Sequence, residues 1–386
     1  MMRSWRGEVM PRMAIVMAVM MAVVAGVPQI PLGEAAAAKC GGVEARNETL
    51  EELMEDYFQW KLRSYPEWAT LEGFPGYNHL VEDFSLEGIL KRGEQCQEFL
   101  HRSCLVEAEG ARAAGHQDIM EEELGVCVEG MQYKGYLLPP INFLEGLQVE
   151  YPRLVRERER TPLGSIADYE DLLARVKLLP RMVGQVEELL REGVRQGVTY
   201  ARESLTNVDQ QFEALQVPAN VSDFYVRFRD MPGSLGRHVV GRMQGEAHRV
   251  VGEELLPALR RLQDYLKYEY SAALRGAPGV SSMQGGKEFY TAVLKWHTST
   301  DMTPQEVHDI GLEEVATIRA SVDQLLVELG AGNQTFQEFA ALARADPGQQ
   351  FGSREEALET YRGIIRDVLA RLGDILPPDT LTGQTS

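Results

Sequence analysis

Hydrophobic residues along this chain recur at spacings of three and four, and the clearest such run lies between Thr303 and Gly330. Thr303-Pro304-Gln305-Glu306 supplies an N-cap threonine, a proline at the first helical position and a glutamate placed to close a capping box. From there Val307, Gly311, Val315, Ile318, Val322, Leu325 and Leu329 lay one apolar stripe along a helix that stops at Gly330. Such a stripe is expected to meet a partner surface.

The same period predicts the other elements. Leu50, Leu53, Met54, Tyr57, Phe58 and Leu62 mark a helix over 48–63, stopped by Tyr65-Pro66. Gly73 to Asn78 reads as a loop. Ser85 caps a helix reaching about Val106, and a return helix is expected from about Gln117 to Val128. Leu137-Leu138-Pro139-Pro140 breaks the pattern, and the segment that follows from Ile141 ends in a charge-rich run over 153–160, read as a solvated helix end or loop. Ser165 opens a helix toward Leu179. Pro180 marks a kink or boundary, and helical spacing continues from Met182 to Gly193. Residues 236–274 are again helical in pattern, with a kink expected at Pro257. Helices over 336–345 and 353–372 complete the set. Alternating patterns are scarce and no fixed-period repeat emerges, so the expected class is all-α: a multi-helix, bundle-like array with little or no sheet.

Composition narrows the partners. The 386 residues are 44% hydrophobic, enough for a sizeable core, and carry 39 basic against 58 acidic residues, a net charge of −19. That field repels phosphate backbones and anionic lipid head groups, so no nucleic-acid partner is expected. At the N-terminus, Arg3, Arg6 and Arg12 precede an uncharged run from Met13 to Val27, and Ala35 to Ala38 follow. This is the order of a secretory signal, with cleavage expected after Ala38, leaving 39–376 as the helical domain and 377–386 as a polar tail. The run is shorter than the ~18 to 20 residues of a spanning helix, so a secreted or secretory-pathway protein with no stable membrane span is expected. An uncleaved signal anchor that tethers it to a membrane is the alternative.

Three of the six asparagines, Asn47, Asn220 and Asn333, open glycosylation sequons. The four cysteines allow three pairings. Cys96 and Cys104 on one helix stand about 12 Å apart along its axis, beyond the ~7 Å reach of a disulfide. If the segments flanking 108–115 form an antiparallel hairpin, Cys96 is level with Cys127, which leaves Cys40 for Cys104.

Five patches carry a resemblance: Tyr65 to Thr70, Asn142 to Gly146, Tyr169 to Arg175, Leu266 to Tyr270, and most tellingly Thr303 to Val315. In this order they resemble the domain of unknown function 885 family, a largely helical group expected to be zinc-dependent peptidases. The resemblance spans about Tyr57 to about Arg371. The family's catalytic signature is a His-Glu pair followed by Pro-Gly-His-His, and it lies further toward the C-terminus than anything this chain contains.

A helical zinc hydrolase needs His-Glu-x-x-His, whose two histidines face the metal while the glutamate activates the bound water. The seven histidines are followed by Leu, Arg, Gln, Val, Arg, Thr and Asp, so none opens the motif and no catalytic or metal residue is assigned. His297 and His308, with Glu313 and Glu314, are candidate cleft-lining residues; the bland alternative is surface hydrogen bonding. Asp118 and Glu122, one turn apart beside Glu121 and Glu123, read as a solvated acidic face. Neither a phosphate-binding loop nor a nucleophile elbow is present.

The expectation is therefore a secreted helical protein resembling the N-terminal two thirds of a zinc metallopeptidase and inactive alone. No cofactor is expected in this chain. Zinc belongs to the complete family domain, and a peptide substrate is expected only if the missing C-terminal part is supplied. The competing readings are a non-enzymatic secreted binding or scaffold module, and an intact hydrolase with an unrecognised site.

Overall fold

The computed structural model describes residues 48–158 and 160–373. Among these residues the regular structure is helical, with two isolated bridges, Ile141 to Gly146 and Ala201 to Arg275, and no sheet. The all-α reading is correct. The chain divides into two compact units, the first ending at Thr298 and the second beginning at Ser299.

In the first unit, α1 (Leu50–Ser64) starts at Thr49, whose hydroxyl and backbone trade hydrogen bonds with Glu52 in a capping box. Tyr65 ends it, and α2 (Pro66–Leu71) opens on its proline. Ser85 caps α3 (Leu86–Ser103), and α4 (Ala111–Gly130) returns beside it. The return helix begins well before Gln117, because Ala111, Arg112, Ala113 and Ala114 are strong helix formers that carry no apolar stripe. Leu53, Trp60, Phe99, Met120 and Leu124 pack as a small core between these helices. The Cys96–Cys127 disulfide links α3 to α4 with its Cα atoms 6.3 Å apart, as the hairpin geometry predicts. Cys104 is not a free thiol, and Cys40, its expected counterpart, lies outside the described residues, as do Asn47 and the signal segment 1–38.

The larger core forms around α6 (Ile166–Gln196), which Ser165 and Asp168 start with a second capping box. Before it, α5 (Leu147–Arg156) carries the charge-rich run. Arg153 and Arg160 bond Glu157 at 3.2 and 2.8 Å, and Arg156 bonds Asp223 at 2.8 Å, on a half-exposed surface where such pairs contribute little. Pro180 does not end α6. Leu172, Val176, Leu179, Met182 and Val183 are all buried around it, and that burial outweighs the one backbone hydrogen bond the proline cannot make.

Three helices follow: α7 (Val208–Leu215), the short α8 (Val226–Arg229) and α9 (Arg237–Arg249). A π-helical turn, Val250–Leu255, joins α9 to α10 (Leu256–Tyr268). Pro257 lacks an N–H for the carbonyl four residues back, and the wider π turn absorbs the defect where the sequence predicts a kink. Phe212, Phe228, Val251, Leu259 and Leu262 close on α6. The unit ends with α11 (Gly286–Thr298).

A buried guanidinium ties the N-terminal helices to α6. Arg175 has no solvent exposure. Its Nε donates to Leu80 O at 2.7 Å, and its Nη2 donates to Thr70 Oγ1 at 2.8 Å, Tyr77 O at 2.9 Å and Pro66 O at 3.3 Å. Burial lowers its pKa, opposed by the nearby Glu67 carboxylate.

The second unit holds α12 (Pro304–Glu328), α13 (Phe336–Ala345) and α14 (Arg354–Leu372). The capping box of Thr303 and Glu306 forms as predicted, and Gly330 takes a positive φ of 74° after the helix. Within the second unit the α12 stripe meets no partner surface. Leu326, outside the stripe, is the one buried residue of α12, whereas Val315, Ile318, Leu325 and Leu329 of the stripe are exposed, because helices this few provide little cover for one another. The α14 face of Ile364, Ile365 and Val368 is exposed too.

Arg175→Ala takes the Arg175 donor from Leu80 O and one bond each from Tyr77 O, Pro66 O and Thr70 Oγ1, which keep Leu80 N–H, the Thr70 hydroxyl and Asn78 Oδ1 as their other partners. Chemical denaturation followed by tryptophan fluorescence is expected to show a loss of about 3 to 5 kcal/mol. Arg175→Lys recovers only a fraction, because an ammonium cannot span the same acceptors.

Candidate functional site

Three helices of the first unit enclose a cleft of about 940 Å3. On α3, Glu94, Glu98 and His101 are spaced three and four apart, which puts them on the face opposite the buried Cys96 and Phe99. On α4, Glu122 and Glu129 repeat the arrangement, with Met120 and Leu124 turned to the core. Lys295 and Trp296 of α11 form the third wall. The Trp296 indole N–H donates to Glu129 Oε2 at 3.0 Å, pinning the ring at the edge of the cleft.

Four carboxylates against one lysine give the cleft a negative balance of charge, which favours cations and hydrogen-bond donors. Among the described residues no three His, Cys, Asp or Glu side chains converge as a metal would require. The cleft is equipped to bind, through carboxylates, an imidazole and an indole face.

On the other side of the small core a pocket of about 290 Å3 is walled by Tyr57, Trp60, Tyr65 and Trp68 beside the Cys96–Cys127 disulfide. Its cation is supplied from within. Lys61 Nζ lies 5.0 Å from the Trp68 ring centre and 5.9 Å from that of Tyr57, and pairs with Glu123. Burial, reinforced by the Glu123 charge, pushes the Tyr57 hydroxyl far above its ordinary range, so it stays protonated and serves as a donor.

Two carboxylates are drawn inside the first unit next to Arg175. Glu67 Oε1 accepts from Tyr151 Oη at 2.7 Å and from the Glu82 backbone N–H at 3.1 Å. Glu82 accepts from Arg92 Nη2 at 3.0 Å, while Arg92 Nη1 holds Asp83 O at 2.7 Å. Burial pushes Glu82 up to about 7 despite the opposing pull of Arg92, with Glu67 and Asp83 adding to the rise. These bonds clamp the segment between α2 and α3 without opening to either cavity.

The sequence candidates fall elsewhere. His297 is exposed at the end of α11, beside Trp296 but outside the cleft lining. His308, Glu313 and Glu314 are exposed on α12 of the second unit. Asn220 and Asn333 are exposed. The residues missed were Glu94, Glu98, His101 and Trp296. The carboxylate spacing on α3 was visible in the sequence, but Trp296 joins Glu129 across 167 positions of chain and left no local signal.

Comparison with known proteins bears on most of the chain. The family described as bacterial protein of unknown function (DUF885) matches residues 66–382. A solved structure of a candidate lipoprotein from Colwellia psychrerythraea superimposes with a TM-score of 0.75 at 17% identity. The match covers 87% of this chain and 64% of that one, so this chain spans less than two thirds of the length of its structural relative. No curated protein matches the chain. At that identity the likeness establishes the helical fold.

Glu82 sets a pH dependence. Its carboxyl titrates near 7 when folded against an ordinary 4.5, so between those values the folded state holds the extra proton. Its contribution is complete below about 4.5 and is lost as pH rises through about 7. Thermal melts from pH 4.5 to 7.5 are expected to show Glu82→Gln gaining on the parent chain as pH rises, because the amide has no proton to lose.

Proposed function

Since the chain belongs to this bacterial family of unknown function, we propose that it is an exported helical binding body that does not hydrolyse peptides on its own. The observation that carries this reading is the uncovered apolar surface of the second unit. Ile318 of α12 is 57% exposed, and Ile365 and Val368 of α14 are 56% and 55% exposed. Amphipathic helices ordinarily bury such faces, and exposed apolar surface on this scale marks an interaction site. The faces therefore suit further polypeptide that supplies the zinc chemistry implied by the family resemblance, and the longer structural relative supports that reading.

Two features support export. The basic, apolar and small-residue order of positions 3–38 is that of a secretory signal. A disulfide between α3 and α4 belongs to an oxidising compartment. No helix among the described residues is long and apolar enough to cross a membrane. The acidic cleft favours a second reading, a binding module that is complete without catalysis and takes cationic segments of its ligands there.

Elemental analysis of the purified secreted protein is expected to show less than one zinc per chain, with no peptide cleavage that a chelator abolishes. Stoichiometric zinc with chelator-sensitive cleavage would establish a metal site in this chain and end the non-hydrolytic reading. Strong fluorescence of an apolar dye is also expected. It should fall in the double variant Ile318→Glu, Ile365→Glu with no change in the urea midpoint, since both side chains are already exposed. An unchanged signal would mean that these faces are not the exposed apolar surface the dye detects.

A further inference from the structure

A separate cavity of about 260 Å3 opens in the first unit between α7, α10 and the short turn Arg202–Leu205. Its lining is apolar at depth: Leu205, Val208, Phe212, Leu266 and Leu274, with Val208 and Phe212 buried to 2% and 0%. The rim is charged. Asp209 is already engaged, accepting from Gln263 Nε2 at 2.8 Å and from Lys267 Nζ at 3.0 Å, and these two bonds hold its carboxyl below the usual range. The Lys267 charge is balanced within that pair.

Arg202 is different. Its side chain is exposed, lines the cavity and has no ion pair among the described residues. Its backbone is anchored, with Arg202 N donating to Arg275 O at 3.2 Å next to the Ala201–Arg275 bridge. An unbalanced guanidinium thus stands at the mouth of an apolar hole in a protein of net charge −19.

We propose that this cavity binds a small apolar group bearing a carboxylate, with the apolar part in the hole and the carboxylate on Arg202. Cavities for drug-sized ligands run from about 300 to 1,000 Å3, so 260 Å3 suits one side chain or a short acyl chain. A guanidinium fork meets a carboxylate through two parallel N–H bonds and is the group of choice for that task. The terminal residue of a peptide presents this chemistry, since capture of a C-terminal carboxylate is a recurring recognition mode. A short-chain carboxylic acid presents it too. Peptide hydrolysis by this chain is not required, so the site stands whether or not the zinc analysis above supports the non-hydrolytic reading.

The test is calorimetric titration of the secreted protein with three probes: acetyl-Ala-Ala-Leu with a free carboxylate, its C-terminal amide, and hexanoate. The free-acid peptide is expected to bind, with the amide weaker by on the order of tenfold for the lost charge-assisted pair. Arg202→Gln is expected to reduce acid binding by a similar factor while leaving the melting temperature unchanged. Leu205→Trp, which fills the hole, should abolish binding of acid and amide alike. Hexanoate bound as tightly as the peptide would assign the site to free acids, and hexanoate left unbound would assign it to chain ends. Equal binding of acid and amide, full binding by Arg202→Gln, or no heat from any probe at millimolar concentration would overturn the proposal.

Discussion

The first unit depends on a positive charge that has no access to water. Moving a guanidinium into a protein interior is costly unless its donors find acceptors; Nε and Nη2 of Arg175 find them in three backbone carbonyls and a hydroxyl from two separate stretches of chain, while the buried Nη1 has no partner among the described residues. The end of α2 and the loop that follows it are thereby fixed onto α6. Glu67 and Glu82 lie alongside, and their bonds to Tyr151 and Arg92 extend the fastening to α5 and α3. Two of the patches that carry the family resemblance, Tyr65 to Thr70 and Tyr169 to Arg175, meet at this point.

That fastening places the α3–α4 hairpin, and the hairpin shapes the acidic cleft. One face of each helix is committed to the small core and the disulfide, which leaves the opposite faces to carry glutamates at helical spacing. The cleft and the aromatic pocket are thus consequences of the same packing. They differ in electrostatic state: Lys61 already lies in the aromatic pocket, whereas in the cleft Glu129 is engaged by the Trp296 indole and Glu94, Glu98 and Glu122 line the opening.

The two units satisfy their apolar residues to very different degrees. Around α6 nearly every apolar position on the inner face is buried. On α12 and α14 the same kind of pattern remains wet. A capping box fixes where a helix begins without supplying anything for its apolar face to cover. Helix formation and helix burial are separate events here, with the first carried by local hydrogen bonds and the second dependent on neighbours.

What the sequence determined by itself was local. The helix starts at Ser85, Ser165, Thr303 and Ser353 were legible because a cap needs only residues within one turn. The Cys96–Cys127 pairing was legible because a helical hairpin has few registers. Tertiary structure decided the rest. The passage of α6 through Pro180 and the π turn before Pro257 follow from burial on distant helices, which outweighs a missing N–H. Arg175 reads in the sequence as an ordinary charge on a helical surface, and only the approach of Thr70 and Leu80 from about a hundred positions away makes it the interior fastening. The cleft was illegible for the same reason. Its third wall is placed by contacts between residues far apart in sequence, and no local pattern records them.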